Sequence, residues 1–104
     1  MDIHDLTEKI EKISQSYSKK FAFERDSDWF VLKLQEELGE LIQAYLMMER
    51  KARQKGKTQE EIRDEFEHEV ADVLAHTLLL AKHFKVDLDR VFESKWIQWN
   101  HNDD

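Results

Sequence analysis

Apolar residues recur every three or four positions through most of this chain, and that period is typical of amphipathic helices. Four such segments are evident, over about residues 2–17, 29–54, 58–84 and 88–100. Pro is absent and Gly occurs only twice, which favours helix over turn-rich β architecture. At 104 residues, the chain is predicted to form a single domain, residues 1–104, with an all-α helical bundle of about four helices.

Polar residues indicate where these helices begin and end. Either Ser27 or Asp28 is expected to cap the second helix. Thr58, with an acidic residue three positions later, forms a capping-box pattern at the start of the third helix. The basic run at 50–57 is predicted to be a solvated hairpin turn, not a nucleic-acid patch, because cations suit a helix C-terminus and Gly56 is a natural stop.

The apolar stripes of the two long helices should face the core. The stripe of the second helix comprises Phe30, Leu34, Leu38, Leu41, Ile42, Tyr45 and Met48. The stripe of the third comprises Ile62, Phe66, Val70, Val73, Thr77, Leu80, Ala81 and Phe84. The C-terminal half of the third helix is apolar nearly all round, through Leu74, Ala75, Leu78 and Leu79. Because so short a chain has little else to cover that surface, we expect a second subunit there, in a homodimer or homotetramer.

Charge and composition exclude several classes of protein. The formal net charge is −7, which does not suit binding to a nucleic-acid polymer or to an anionic membrane. There is no Cys, and therefore no disulfide, thiolate metal site or thiol nucleophile. No apolar run is long enough to span a bilayer, and the acidic, polar start does not resemble a signal peptide. A cytoplasmic location is the expectation.

Two acidic groups lie inside helical, otherwise apolar segments. The first contains Glu36, Glu37 and Glu40, and the second contains Glu69 and Asp72. Members of a pair three positions apart are neighbours on a helix surface, where like charges cost roughly 0.2–0.5 kcal/mol per pair. A hard divalent cation such as Mg²⁺, which prefers oxygen ligands, would relieve this repulsion.

A helical wheel separates the acids from one another. At about 100° per residue, Glu37 and Glu40 share one shoulder of the apolar stripe with Lys33, whereas Glu36 points away from the core. The acids of the third helix also occupy one shoulder, together with His76. Two antiparallel helices packed along their stripes can join these shoulders into a four-carboxylate site. The alternative is that both shoulders are ordinary solvated flanks.

Aromatic residues and one lysine are candidates for contact with a substrate. The segment 21–30 is rich in rings, including Trp29, which either close one end of the bundle or line a pocket for a flat ring. Lys95 lies within the apolar stripe of the last helix, beside Trp96 and Trp99. A buried ammonium is costly, so Lys95 either reaches out to solvent or meets an anion.

The order of the two acidic motifs resembles the signature of a known family. Glu-Glu-x-x-Glu at 36–40, followed by Glu-x-x-Asp at 69–72, is similar to the motifs of the MazG-like all-α nucleoside triphosphate pyrophosphohydrolases. Lys95 with Asn100 is similar to the C-terminal Lys/Asn region of that family. The resemblance covers roughly residues 21–100, and two motifs in order are far more specific than either alone.

The resemblance implies Mg²⁺-dependent hydrolysis of a (deoxy)nucleoside triphosphate to the monophosphate and pyrophosphate, with Mn²⁺ as an alternative ion. It implies the metal ligands Glu37, Glu40, Glu69 and Asp72. It implies the catalytic acids Glu36, Glu37 and Glu40, of which Glu36 orients or deprotonates water. It implies substrate contacts from Lys33, Lys95, Asn100, Trp29, Trp96 and His76. The preferred base, the sugar and a role in removing damaged nucleotides from the pool stay open.

Two other interpretations are compatible with a helical bundle. A di-iron or di-manganese carboxylate protein would use a Glu-x-x-His pair such as Glu65 and His68. On the wheel, however, His68 points away from the acidic shoulder, and a second Glu-x-x-His is missing. A non-catalytic oligomeric interaction module would also account for the apolar excess of the third helix.

Overall fold

The computed structural model describes residues 1–100 and is built from three long helices and a short helical C-terminal segment. The helices are α1 (Ile3–Lys20), α2 (Ser27–Met48), α3 (Gln59–His83) and α4 (Leu88–Phe92). A π-helical turn over Glu93–Ile97 leads into α5 (Gln98–Asn100). Residues 1–100 contain no strand, so the predicted all-α fold is confirmed. None of the helices in this range is both long enough and apolar enough to cross a bilayer.

The core lies between α2 and α3, which pack together as a helical hairpin, and α1 packs on α3. Its buried apolar side chains are Phe30, Ala44, Met47, Ile62, Leu78, Leu79 and Ala81. These residues come from both long helices, so the hairpin is the framework on which any site between α2 and α3 depends.

An ion pair fastens α1 to the connector that precedes α2. The Arg25 guanidinium donates to both carboxylate oxygens of Glu11, at 2.7 and 2.9 Å, and to Ser14 Oγ at 3.1 Å. It also lies 5.2 Å from the ring centroid of Phe30. The hydrogen bonds and charge of Arg25 lower the pKa of Glu11. Because both side chains of the pair are largely buried, this contact fixes α1 beside the start of α2.

The helix caps differ from the sequence prediction at one position. The cap of α2 is Asp26, not Ser27 or Asp28, because the Asp26 carboxylate accepts a hydrogen bond from the Trp29 N–H at 2.8 Å. The capping box predicted at Thr58 is present, with reciprocal side-chain and backbone bonds. The chain therefore turns into α2 at Asp26, and Trp29 lies in the first turn of the helix.

The end of α2 was predicted too far along the chain. The helix stops at Met48, and the expected extension to Gln54 is wrong. Arg50 adopts a left-handed backbone conformation with φ of 59°, which ends the helix. The Gln54 side chain donates to the carbonyl oxygens of Met47 and Ala52, each at 2.9 Å, and so holds the following loop against the helix end.

The face of α2 that packs on α3 also differs from the predicted stripe. Glu37 and Ala44 are buried, whereas the expected core residues Leu38, Ile42 and Tyr45 are exposed. On the wheel, the buried face is turned by about 80° toward the acidic shoulder. The acids therefore lie at the helix contact itself instead of beside it. That shift removes Glu37 from water.

The apolar end of α3 is covered mainly from within the chain. Leu78 and Leu79 are buried, and Ile10 and Ile13 of α1 lie beside Leu79 at the wall of a cavity. The expectation that a second subunit covers these two leucines is therefore wrong. Leu74, one turn earlier, stays half exposed.

Much apolar surface nevertheless remains exposed on the single chain. Within the described residues, the exposed apolar side chains of the hairpin include Val31, Leu38, Ile42, Tyr45, Val70 and Leu74. The radius of gyration is 16.8 Å, whereas a compact domain of this length has about 13 Å. The single chain is therefore more extended than a compact domain of its length.

Candidate metal centre

Three carboxylates come together where α2 packs on α3. Glu37 and Glu40, one turn apart on α2, and Glu69 on α3 each offer an oxygen, and these oxygens lie within 4.8 Å of one another. Glu37 Oε2 and Glu69 Oε2 are buried and have no hydrogen-bond partner among the described residues. An unpartnered buried carboxylate oxygen is costly, because it has lost water without gaining a donor. The cluster therefore requires a proton or a cation.

The protonation equilibria of the cluster reflect this cost. Burial, together with the neighbouring charges of Glu40 and Asp72, raises the pKa of Glu37 to about 7, although Lys33 opposes the shift. Burial and the same two acids also raise the pKa of Glu69. Desolvation and mutual repulsion thus keep the metal-free cluster partly protonated near neutral pH.

The donor set fits a hard divalent cation, which prefers carboxylate oxygens. Glu37, Glu40 and Glu69 would hold it. The exposed Asp72 lies outside the group of oxygens within 4.8 Å, although its charge raises the pKa of both Glu37 and Glu69. Asp72 is therefore close to the cluster, and its place as the fourth ligand stays a prediction.

Two basic side chains border the cluster. Lys33 Nζ lies 3.4 Å from Glu36 Oε1 and 3.8 Å from Glu37 Oε1. His76 Nε2 also lies 3.8 Å from Glu37 Oε1, and burial, aided by the charge of Lys33, lowers the pKa of His76. The Glu36 side chain is 57% exposed, as its outward position on the wheel predicts. The fold thus brings Lys33 and His76 to the acids and leaves Glu36 at the rim.

A cavity of about 380 Å³ opens beside Glu37. Its lining residues are Ile10, Ile13, Ser14, Tyr17, Trp29, Lys33, Glu37, Ala75, His76 and Leu79. The Trp29 ring contacts the His76 ring edge-on, with centroids 6.1 Å apart, and lies 5.5 Å from the Phe23 ring. We call this space the aromatic cavity. Its volume and largely apolar walls are typical of small-ligand sites.

A second cavity, of about 480 Å³, opens beside Glu40 and Glu69. It is lined in addition by Gln43, Ala44, Met47, Lys55, Lys57, Asp64, Glu65 and His68. The α2 residues that line the aromatic cavity end at Glu37, and those that line the second cavity begin at Glu40. The three acids therefore lie between the two cavities. We call the second space the lysine cavity.

Two parts of this site were not predicted from the sequence. The sequence indicates no site residue in the first helix, yet Ile10, Ile13 and Tyr17 line the aromatic cavity. The regular spacing of these residues indicates an apolar packing face on the helix, but it does not indicate which part of the protein that face contacts. The turn at 50–57 was expected to be only solvated, yet Lys55 and Lys57 line the lysine cavity.

The predicted substrate residues of the C-terminal segment are not brought to the acids within one chain. Lys95 and Trp96 lie on the exposed π-helical turn and are absent from the walls of both cavities. The side chain of Asn100 lies outside the described residues. The roles of all three stay predictions.

The described residues give no support to a His-containing di-metal site. His68 Nδ1 contacts the Asp64 carbonyl oxygen of its own helix at 2.7 Å, and His68 does not belong to the carboxylate cluster. Glu65 accepts a hydrogen bond from Lys57. The Glu-x-x-His pair is therefore occupied by other contacts.

A helical hairpin that holds a cluster of three carboxylates, two of them with a buried and unpartnered oxygen, between two cavities defines a class of candidate cation-dependent enzymes. Residues 3–95 match the family model described as phosphoribosyl-ATP pyrophosphohydrolase. The chain belongs to this family of all-α pyrophosphohydrolases, which are hydrolases acting on phosphoric anhydrides and are related to the MazG-like proteins. Searches of the curated proteins and of the solved structures gave no match.

Proposed function

We propose that the protein is a divalent-cation-dependent nucleotide pyrophosphohydrolase of the cytoplasm. The reaction would release pyrophosphate from a nucleotide and leave the monophosphate. The observation that carries this proposal is the pair of buried, unpartnered oxygens on Glu37 and Glu69, which lie between the aromatic cavity and the lysine cavity. The family match supports the same class of reaction.

Mg²⁺ is the proposed ion, with Mn²⁺ as an alternative, and Glu37, Glu40, Glu69 and Asp72 are its proposed ligands. When bound, such an ion neutralises phosphate oxygens and lowers the pKa of bound water. Without it, the acids would repel a triphosphate. This charge balance explains why a protein of net charge −7 can take an anionic substrate.

The remaining residues would bind and orient the nucleotide. Trp29 would stack on the base, and Lys33 would donate to a phosphate oxygen. The oxygen of water would bond to one phosphorus of the α–β anhydride while the bond from that phosphorus to the bridging oxygen breaks. The bridging oxygen keeps the electron pair, and Glu36 at the rim would accept the proton from water. His76, whose pKa is lowered by burial, would be neutral and able to hydrogen-bond the substrate.

Two substrates follow from two different observations. The motif resemblance favours a (deoxy)nucleoside triphosphate, and the family match favours phosphoribosyl-ATP. We favour the triphosphate, because Lys33 is the one Lys or Arg among the described residues that line the aromatic cavity. The extra phosphate of a phosphoribosyl group would need a further cation there. Removal of unwanted nucleotides from the pool would be a role consistent with this choice.

The direct test is pyrophosphate release from a panel of normal and modified nucleoside triphosphates and phosphoribosyl-ATP, with Mg²⁺ and with chelator. Metal-dependent release from a triphosphate supports the proposal. Preferential release from phosphoribosyl-ATP would support the second substrate. A folded protein that cleaves no member with either Mg²⁺ or Mn²⁺ would be better described as a non-catalytic interaction module.

Substitution of Trp29 tests the role of the aromatic cavity. Stacking of a base on an aromatic side chain contributes about 1–3 kcal/mol, so Trp29→Leu should raise KM by roughly tenfold or more with little change in kcat. Steady-state kinetics on the best substrate measures the split. Phe84→Leu is the control, because it replaces an exposed aromatic ring at the C-cap of α3 by the same aliphatic side chain. Equal effects of the two substitutions would refute base stacking on Trp29.

We also propose that the protein is a homodimer or homotetramer that buries one exposed side of the hairpin. Leu38, Ile42 and Tyr45 of α2 and Val70 and Leu74 of α3 are all exposed. Their wheel positions, at about 100° per residue, place them on the same side of the two antiparallel helices. A patch of this kind on a single chain is typical of an interface.

The expected result for Ile42→Lys is a monomer, because an ammonium at this patch cannot be buried without a partner. Light scattering after size exclusion measures the mass. The matched control is Leu32→Lys, because Leu32 is also exposed but lies on another face of α2. A wild-type protein that is monomeric at micromolar concentration, or two variants that behave alike, would contradict this interface.

A further inference from the structure

The lysine cavity carries two ammonium groups and borders the candidate metal centre. Besides Glu40 and Glu69 of that centre, the described residues of its wall include Lys55 and Lys57, the amide of Gln43 and the carboxylates of Asp64 and Glu65, but no Trp, Tyr or Phe. The aromatic cavity has the opposite character, with Trp29 and Tyr17 in its wall. The two spaces therefore suit different chemical groups, and the acids separate them.

A nucleotide that is cleaved at the acids must extend in both directions from them. If its nucleoside lies in the aromatic cavity, its terminal phosphates lie beyond Glu40 and Glu69, where the lysine cavity begins. The geometry points to the lysine cavity as the binding site of the pyrophosphate part of the substrate, with Lys55 and Lys57 as its cationic ligands. This inference rests on the proposed function.

The loop that carries the lysines is held in place by its own side chains. Gln54 donates to the end of α2 and accepts a hydrogen bond from Gln59 of α3 at 2.8 Å. The Lys57 N–H donates to the Gln54 carbonyl oxygen at 3.0 Å. Because these bonds fix the loop between the helices, the lysines enter the cavity from a positioned backbone. Such preorganisation lowers the entropic cost of binding an anion.

Lys55 is exposed, and Lys57 is partly buried at the cavity wall. The Lys57 ammonium donates a hydrogen bond to the Glu65 carboxylate at the cavity wall. A phosphate oxygen would replace that carboxylate as the acceptor, and Glu65 would then be hydrated, because its side chain is accessible to water.

The test uses inorganic pyrophosphate as the probe and the full chain as the protein. Binding of pyrophosphate in the presence of Mg²⁺ is measured by calorimetry for wild type, Lys55→Met, Lys57→Met and the double variant. Each single substitution should weaken binding by about tenfold, since a charge-assisted hydrogen bond is lost. The control is Lys51→Met, which removes an exposed cation that does not line the cavity.

Product inhibition separates a subsite from a general effect of charge. In the double variant, inhibition by pyrophosphate should weaken at least tenfold, whereas inhibition by the nucleoside monophosphate should stay within about twofold. The assignment would be overturned if inhibition by both products weakened equally. It would also be overturned if the double variant bound pyrophosphate as tightly as wild type. Glu65→Gln provides a second check, because it breaks the ion pair but keeps Lys57. If it weakens pyrophosphate binding as much as Lys57→Met does, Lys57 is only a structural partner.

The calorimetric measurement keeps this inference distinct from the proposed reaction. Lysine-dependent binding of pyrophosphate in a protein that cleaves no nucleotide would support the subsite and reject the hydrolase. A protein that hydrolyses nucleotides but binds pyrophosphate without the lysines would keep the hydrolase and reject the subsite.

Discussion

Glu37→Gln is expected to abolish pyrophosphate release while making the metal-free protein more stable. The substitution removes the charge of the most buried acid in the cluster and leaves its shape almost unchanged. A neutral amide is a poor ligand for a hard cation, so metal binding and turnover should fall together, by about a thousandfold or more. The desolvated charge that it replaces opposes folding near neutral pH, because burial raises the pKa of Glu37.

Opposite effects on activity and stability distinguish a metal ligand from a structural residue. Turnover, metal titration and thermal unfolding are measured on the same preparations. Glu67→Gln, on the exposed face of α3 where Glu67 pairs with Arg63, is the matched control and should change none of them appreciably. Glu40→Gln should lose turnover like Glu37→Gln. Wild-type activity in either cluster variant would remove these acids from the proposed centre.

The metal-free protein should lose stability as pH rises from about 5 to 8. The pKa of Glu37 is about 7 in the folded chain, against 4.5 for a free Glu. Between these values the folded state binds more protons than the unfolded state, so stability falls with rising pH. At about 1.4 kcal/mol per pKa unit, the full effect is at most roughly 3–4 kcal/mol, or on the order of 10–20 °C in Tm. The raised pKa of Glu69 acts in the same direction.

The neighbouring histidine makes a comparison with a variant necessary. The pKa of His76 is lowered by burial, so its contribution to stability rises with pH and opposes the acids below about 6.5. The difference in Tm between wild type and Glu37→Gln, followed across pH, isolates Glu37. Added Mg²⁺ should restore the wild type at pH 8 and have little effect at pH 5. A pH-independent difference between the two proteins would show that Glu37 carries no raised pKa.

Local signals in the sequence located several features of the site. Within each acidic motif, two acids lie about one turn apart on a helix. Three of these acids, Glu37, Glu40 and Glu69, come together in the folded chain. The positions of Lys33 and His76 on the same shoulders also predicted their approach to the acids. These features depend on helix periodicity and on the pairing of adjacent helices, both of which are properties of short stretches of sequence.

The orientation of the helices could not be obtained in the same way. An apolar stripe defines a packing face only to within about a quarter turn, and α2 has more apolar residues than α3 can cover. The chain buries Ala44 and Glu37 and leaves Ile42 exposed. The contact with α3 therefore lies on the acidic shoulder of α2. Only this choice desolvates Glu37.

The sequence by itself determined the all-α class, the Thr58 capping box and the two acidic pairs, because each is encoded within a few turns of helix. The tertiary structure alone decided that α1 lines the aromatic cavity and that Lys55 and Lys57 line the same cavity as Glu40 and Glu69. These placements depend on contacts between residues distant in sequence. Burial of Glu37, and with it the raised pKa that distinguishes a cation site from a charged surface, arises only when α2 and α3 pack together.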